Sequence, residues 1–386
     1  MLTTHFPTRD PDPVQLLDPS GHRVTHPDYA LDLSPEEYRA LYRDLVRIRR
    51  VDAEATTLQR QGELGLWASL LGQEAAQIGA GRALRPQDFV FSSYREHGIA
   101  WCRGVPPIDL LGFWRGTAHG SWDPYRAGMA NYQVVVGGHA LHGVGYGMGL
   151  RLDGADGAVL VCFGDGATSQ GDVHEAFTYA AVFDAPVVFY CQNNHWAISE
   201  PLTRQTRVPL YRRAFGYGFP GIRVDGNDVL ATLAVTDAAL EHARSGSGPV
   251  LIEAVTYRMA PHTTSDDATR YRSPDEVAEW AARDPIARLR ACLEREALAD
   301  DAFFADVAAE AERLAVQLRT ECRSLPDPRP TALFDHVYAG PHPLIDTERA
   351  QLTAFLDQFT DRSTDRFTDR FTDRFTDRPE GPGSWS

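Results

Sequence analysis

The sequence predicts an α/β fold, a parallel sheet flanked by helices in three layers, on three observations. Ala158-Val-Leu-Val-Cys-Phe163 and Ala185-Pro-Val-Val-Phe-Tyr-Cys191 are apolar runs without polar alternation, the pattern of strands covered on both faces. One helix-length stretch, residues 171–183, lies between them, enough for a single crossover between parallel strands. Each run stops at polar turn residues, Gly164-Asp165-Gly166 after the first and Gln192-Asn193-Asn194 after the second.

The other elements follow in order. Residues 1–33, rich in Pro and Asp, read as an irregular N-terminal arm. Ser34-Pro35-Glu36-Glu37 is a helix start, with Ser34 as N-cap and Glu37 closing a capping box. Leu41, Leu45, Ile48, Ala55 and Leu58 continue a helical stripe to about Gln61. Gly143, Gly145, Gly147 and Gly149 precede the first core strand, where small residues let a helix pack closely on a sheet. Ile222-Arg-Val-Asp225 and Val250 to Tyr257 read as further strands, and residues 275–322 as mostly helical, with one helix starting at Asp284-Pro285. The expected organisation is an arm (1–33), a main domain with helical additions (34–340), a C-terminal segment (341–358) and a low-complexity tail (359–386). That tail opens with five Phe/Ser-Thr-Asp-Arg tetrapeptides, Phe359 to Arg378, and reads as disordered.

A net charge of -15 argues against a general nucleic-acid or membrane-surface binder. No apolar run reaches membrane-spanning length, and the acidic N-terminus resembles neither a secretory signal nor a transit peptide. The five cysteines, widely spaced and without CxxC, predict reduced thiols in a cytoplasm. All 38 basic residues are arginine, so no lysine here forms a Schiff base or carries lipoate or biotin.

Asp165 and Asn194 are brought by this topology to one edge of the sheet. A carboxylate and an amide oxygen meeting there suit a hard cation such as Mg²⁺, which in turn holds a diphosphate. Backbone amides of Gly166 and Ala167, at a helix start, would face such a phosphate. A dinucleotide fold is the rival, but no Gly-x-Gly-x-x-Gly stands at a strand end. Singly, Arg95 reads equally as a surface ion pair, Tyr94 as core and His262 as a solvated loop residue. His139 and His142 form HxxH without a third ligand nearby and read as helix-packing histidines. Ser169 lacks the Gly-x-Ser-x-Gly context of a nucleophile.

Tyr94-Arg95-Glu96-His97, Gly164-Asp165-Gly166-Ala-Thr-Ser-Gln-Gly171, Asn193-Asn194 and Pro261-His262-Thr-Thr-Ser-Asp-Asp-Ala-Thr-Arg-Tyr-Arg272 together resemble the alpha subunit of the decarboxylating first component of 2-oxo acid dehydrogenase complexes. The resemblance covers about Val14 to Phe355. It implies the thiamin-diphosphate-binding fold, with Asp165, Asn194 and the Trp196 carbonyl as Mg²⁺ ligands. It also implies a cofactor site built from Tyr94, Arg95, Val134, Val136, Gly164, Gly166, Ala167, Gln192 and His262. Val136 would support the bent cofactor, and Gln192 stands where some relatives carry an arginine. His262 would orient the phosphate and assist proton transfer as the acyl group passes to lipoate. A Thr-Gln pair that holds a monovalent cation in some branched-chain relatives is Gly138-His139 here, and the usual regulatory serine is Thr263.

By the same resemblance the partners are a beta chain, in a two-alpha, two-beta tetramer, and a lipoyl-bearing acyltransferase. The reaction is oxidative decarboxylation of a 2-oxo acid. Ile222-Arg-Val-Asp-Gly-Asn-Asp228 and Tyr257-Arg-Met-Ala-Pro-His-Thr-Thr-Ser-Asp-Asp267 look more like branched-chain than pyruvate members. Pyruvate remains the alternative substrate, and a non-catalytic scaffold the alternative class. Residues 262–273 have few apolar anchors, which predicts a loop that orders only with cofactor.

Overall fold

A computed structural model describes residues 10–118, 120 and 122–360. Its main sheet has five strands: β1 (Phe89–Phe91), β2 (Val159–Gly164), β3 (Val187–Asn193), β4 (Gly221–Asp225) and β5 (Val250–Val255), in the order β1-β2-β3-β5-β4 with every neighbouring pair parallel. The unbroken apolar runs have the predicted cause. Leu160, Cys162, Val188, Tyr190, Ile252 and Ala254 pack with the helices Glu74–Ala83 and Val229–Arg244. Val159, Val161, Phe163, Val187, Phe189 and Leu251 pack on the opposite face with the helices His139–Leu152 and Gly171–Val182. Alternate residues of one strand thus feed two cores, and three layers result.

The glycine-rich stretch is the His139–Leu152 helix, and its glycines divide by face. A Cβ on Gly143 would lie 2.4 Å from Val161 Cγ2, and one on Gly147 would lie 2.8 Å from Val187 Cγ2. Those two permit the close approach of helix to sheet. Gly145 and Gly149 face open space.

The first long helix runs Pro35–Arg60 with the predicted capping box, the Ser34 amide donating to Glu37 Oε2 at 2.7 Å. The N-terminal arm, from residue 10, has no helix and no strand of the main sheet. Its Val14 lies alongside Val224 of β4, with the Val14 amide donating to the Arg223 carbonyl at 2.9 Å. Asp228 Oδ2 accepts the amides of Leu16 and Leu17 at 2.7 and 2.6 Å. The arm therefore covers an otherwise open sheet edge.

The predicted C-terminal helical region is three helices, Pro274–Ala281, Pro285–Arg295 and Asp301–Ser324. The chain divides into two compact units, Met1–Leu325 and Pro326–Ser386. Within the second, the described residues form a 3-10 turn, Pro330–Phe334, and the helix Pro343–Thr360. Phe359 and Thr360, the first two repeat residues, end that helix, and the rest of the tail lies outside the described residues.

Candidate cofactor site

Parallel strands present all their C-terminal ends on one edge, so the segments that follow them converge. β1 leads into Ser93-Tyr94-Arg95-Glu96, β2 into Asp165-Gly166-Ala167, β3 into Asn194-His195-Trp196, and β5 into Arg258 and then His262. In register, Gly164 is opposite Gln192 and Asn193 is opposite Val255. A cavity of about 190 Å³ opens between these segments. Tyr94, Arg95, Val136, Gly164, Asp165, Gly166, Ala167, Gln192, Asn194, Trp196 and His262 all line it. Val134 does not line this cavity and is 55% exposed. The chain bends at Val135 and enters a turn at Val136, which carries only the later residue to the cavity wall.

One end of the cavity gathers oxygen donors. Asp165 is 1% exposed, and among the described residues it forms no ion pair. Burial pushes its carboxyl up to about 6, against the opposing hydrogen bond from Gln205 Nε2 at 2.7 Å. Asn194 donates its Nδ2 to Gln73 Oε1 at 3.1 Å, and its Oδ1 accepts the Trp196 amide at 3.3 Å with a lone pair to spare. The Trp196 carbonyl accepts from Arg258 Nη1 at 3.0 Å and keeps a second lone pair. Among the described residues no three His, Cys, Asp or Glu side chains converge. The donors are one carboxylate, one amide and one backbone carbonyl, all oxygen, which selects a hard cation.

The other end gathers buried guanidiniums. Arg95 is 6% exposed and donates to the Ser69 carbonyl and, at 2.7 Å, to the His262 carbonyl. Arg258 is fully buried and donates to the carbonyls of Trp196 and, at 2.7 Å, Ile198. Neither forms an ion pair with a carboxylate among the described residues. Burial lowers both, Arg258 to about 10 with Arg95 adding to the effect. His262 stands between them, its Nδ1 3.3 Å from Arg95 Nη2 and 3.2 Å from Arg258 Nη1. Burial and the two guanidiniums hold it down at about 3, so it is neutral near pH 7. With Nδ1 accepting from arginines, the proton sits on Nε2, 3.4 Å from the Tyr94 hydroxyl.

Several expectations are corrected. Gly166 and Ala167 belong to a 3-10 turn, Asp165–Ser169, and not to the start of the Gly171–Val182 helix. The Gln192 amide lines the cavity but is already engaged by protein, donating to Glu96 Oε1 at 2.8 Å and accepting from Gln77 Nε2 at 3.0 Å. The 262–273 loop carries its own anchors. Asp266 accepts from the His262 amide at 2.8 Å and from the Tyr271 hydroxyl, and Arg272 binds the carbonyls of Arg258, Met259 and Ala260. Of the HxxH histidines, predicted to pack, only His139 does so. Buried His139 donates Nε2–H to the Cys162 carbonyl at 2.7 Å, and exposed His142 reaches the Gly138 carbonyl at 3.0 Å. Arg258 and Gln205 escaped the sequence reading. Arg258 had one signal, a charged residue three positions beyond a buried strand, while Gln205 had none.

The residues present fit a magnesium diphosphate group. Two buried guanidiniums and one buried carboxylate face the cavity without a direct ion pair among the described residues, although Arg258 and Asp165 attract one another across it, and such a group would bring opposite charge to each end.

The family model described as dehydrogenase E1 component matches residues 43–322. The chain is similar to the 3-methyl-2-oxobutanoate dehydrogenase subunit alpha of Mycobacterium tuberculosis, with 47% identity over 348 residues, 90% of this chain and 95% of that protein. It is also similar to the pyruvate dehydrogenase E1 component subunit alpha of Staphylococcus epidermidis, 40% identical over 74% of this chain and 77% of that protein, and to that of Staphylococcus aureus, 39% identical over the same shares. The chain belongs to the dehydrogenase E1 component family.

Proposed function

We propose that this chain is the alpha subunit of a thiamin-diphosphate-dependent 2-oxo acid dehydrogenase, with a branched-chain 2-oxo acid of the 3-methyl-2-oxobutanoate type as substrate. The observation that carries the reading is the charge-divided cavity at the strand ends. The substrate class is supported by the 47% identity to the mycobacterial relative, against 40% to a pyruvate relative. Thiamin diphosphate is the cofactor of this family, and its chemistry supplies the carbon nucleophile that lets a 2-oxo acid lose carbon dioxide.

The chain's own residues divide the remaining work. Asp165, Asn194 and the Trp196 carbonyl hold Mg²⁺. Tyr94, Arg95 and His262 bind the diphosphate, with Gly164, Gly166, Ala167 and Gln192 forming the wall behind it. Val136 supports the cofactor rings from the turn at Val136–Gly138. His262 carries a proton on Nε2 and serves as the catalytic residue that hands it on during acyl transfer. A beta chain completes the cavity in a two-alpha, two-beta tetramer, and the acyl group passes to lipoate on an acyltransferase. Five free cysteines accord with a cytoplasmic setting.

The test is the assembly with its beta chain, assayed for decarboxylation over a panel of 2-oxo acids. Branched-chain acids are expected to show the highest kcat/KM. Pyruvate ahead of them would transfer the chain to the pyruvate class. No Mg²⁺-dependent binding of thiamin diphosphate by calorimetry would favour the non-catalytic scaffold.

A further inference from the structure

The segment after β3 does more than deliver Asn194 and Trp196. It turns back in a short antiparallel pair, Trp196–Ala197 against Glu200–Pro201, and the Leu202 amide donates to the His195 carbonyl at 2.9 Å. It ends in the turn of helix Leu202–Gln205. From that turn Gln205 reaches across to the segment after β2 and donates Nε2–H to Asp165 Oδ2 at 2.7 Å. The contact between the two segments is tight, since a Cβ on Gly166 would lie 2.7 Å from Ala197 Cβ and 3.9 Å from Gln205 Oε1. Gln205 Oε1 is buried and has no hydrogen-bond partner. His195 and Ile198 hold φ of 70° and 55°, an uncommon conformation for residues other than glycine, so external anchors must hold this strap in shape. Arg258 anchors it from one side through the Trp196 and Ile198 carbonyls, and Gln205 from the other.

We propose that Gln205 is a positioning residue for the metal end of the cavity, an inference that rests on the Mg²⁺ reading above. Asp165 comes from β2, while Asn194 and Trp196 come from β3. The Gln205 amide is a direct side-chain link between these two ligand-bearing segments, so it sets their spacing. It fixes Asp165 Oδ2, while backbone amides of Asp165 and Asn194 also act on the carboxylate. A neutral amide suits this place. An arginine or histidine there would pair with Asp165 and cancel the charge that attracts the cation, whereas an amide fixes the carboxylate and leaves it anionic. The orphan Oε1 adds an acceptor beside the same carboxylate.

The experiment uses the alpha chain assembled with its beta chain and titrates Mg²⁺ by calorimetry at saturating thiamin diphosphate. Gln205→Leu removes the donor at similar bulk, and Gln205→Met does so with a longer, flexible chain that still fills the space. Both are expected to bind Mg²⁺ about 10- to 100-fold more weakly, the usual consequence of removing a residue that orients a metal ligand. Any fall in their melting temperature without cofactor should be small beside the loss of affinity, and excess Mg²⁺ should restore full cofactor stoichiometry. Parent-like Mg²⁺ affinity in both variants would overturn the proposal. So would a loss that tracks a fall in melting temperature and resists excess Mg²⁺, since that marks a purely structural role. A parent assembly whose thiamin diphosphate affinity ignores Mg²⁺ would overturn the metal reading itself.

Discussion

Asp165 and His262 are the residues whose ionisation the cavity changes most usefully, and in opposite senses. Burial raises Asp165 to about 6, above its ordinary carboxylate value. Its contribution to stability is present at low pH and lost as pH rises through about 6, and Mg²⁺, which needs the carboxylate, is expected to bind more tightly across the same rise. Calorimetry at pH 5.5 and 7.5 checks the direction. Asp165→Ala is expected to weaken thiamin diphosphate binding on the order of a hundredfold, the scale of losing one charge-assisted contact of a few kcal/mol. Unchanged affinity in that variant would remove Asp165 from the site. His262 is held down at about 3, so its contribution is present above 6.5 and lost as pH falls toward 3. The cofactor-free assembly should therefore melt lower at pH 5 than at pH 7, and His262→Asn should flatten that difference. His262→Ala should impair acyl transfer to lipoate more than decarboxylation followed with an artificial electron acceptor. Equal losses would restrict the histidine to cofactor binding.

At the scale of elements, the His139–Leu152 helix separates fold from assembly. Gly143→Val would drive a side chain into Val161, where even a Cβ lies 2.4 Å from its Cγ2, and overpacking of this kind costs about 1–3 kcal/mol. A lower melting temperature of the subunit is expected. Gly145→Leu meets nothing in the chain itself, so the same measurement should stay put. If this face packs in the tetramer, size-exclusion chromatography with the beta chain will show weakened assembly for Gly145→Leu, and a normal tetramer would remove the face from the interface. The 262–273 loop makes a second test. With Asp266 and Arg272 binding backbone groups, cleavage at Arg270 or Arg272 by trypsin should be slow with or without cofactor, and Asp266→Ala should make it fast. Fast cleavage of the parent without cofactor would return to the reading of a loop ordered by its ligand.

At the scale of the whole molecule, the described residues show one cavity at the strand ends that suits the cofactor, which is why we propose that activity requires the beta chain. The described residues contain no helix long and apolar enough to cross a membrane. We propose further that residues 361–386 take no part in cofactor binding or assembly. Their deletion is expected to leave thiamin diphosphate affinity and assembly unchanged, as calorimetry and size-exclusion chromatography would show.

Local pattern determined much of this protein. The strands after Ala158 and Ala185 were legible because burial on both faces demands unbroken apolar runs, and Ser34 with Glu37 was legible because a cap is satisfied within four residues. Asp165 and Asn194 were legible because a parallel sheet must bring strand ends together. β1 was not, since Phe89-Val-Phe91 is too short for any period to show. Tertiary structure alone decided that Arg258 shares a cavity with Arg95, 163 residues before it in sequence, and that Val136 enters the cavity wall while Val134 stays outside. It also decided that Gln192 turns to Glu96 and that Gln205 meets Asp165. Such contacts depend on where separate loops are carried by the sheet, and no local preference for helix, strand or turn encodes that distance.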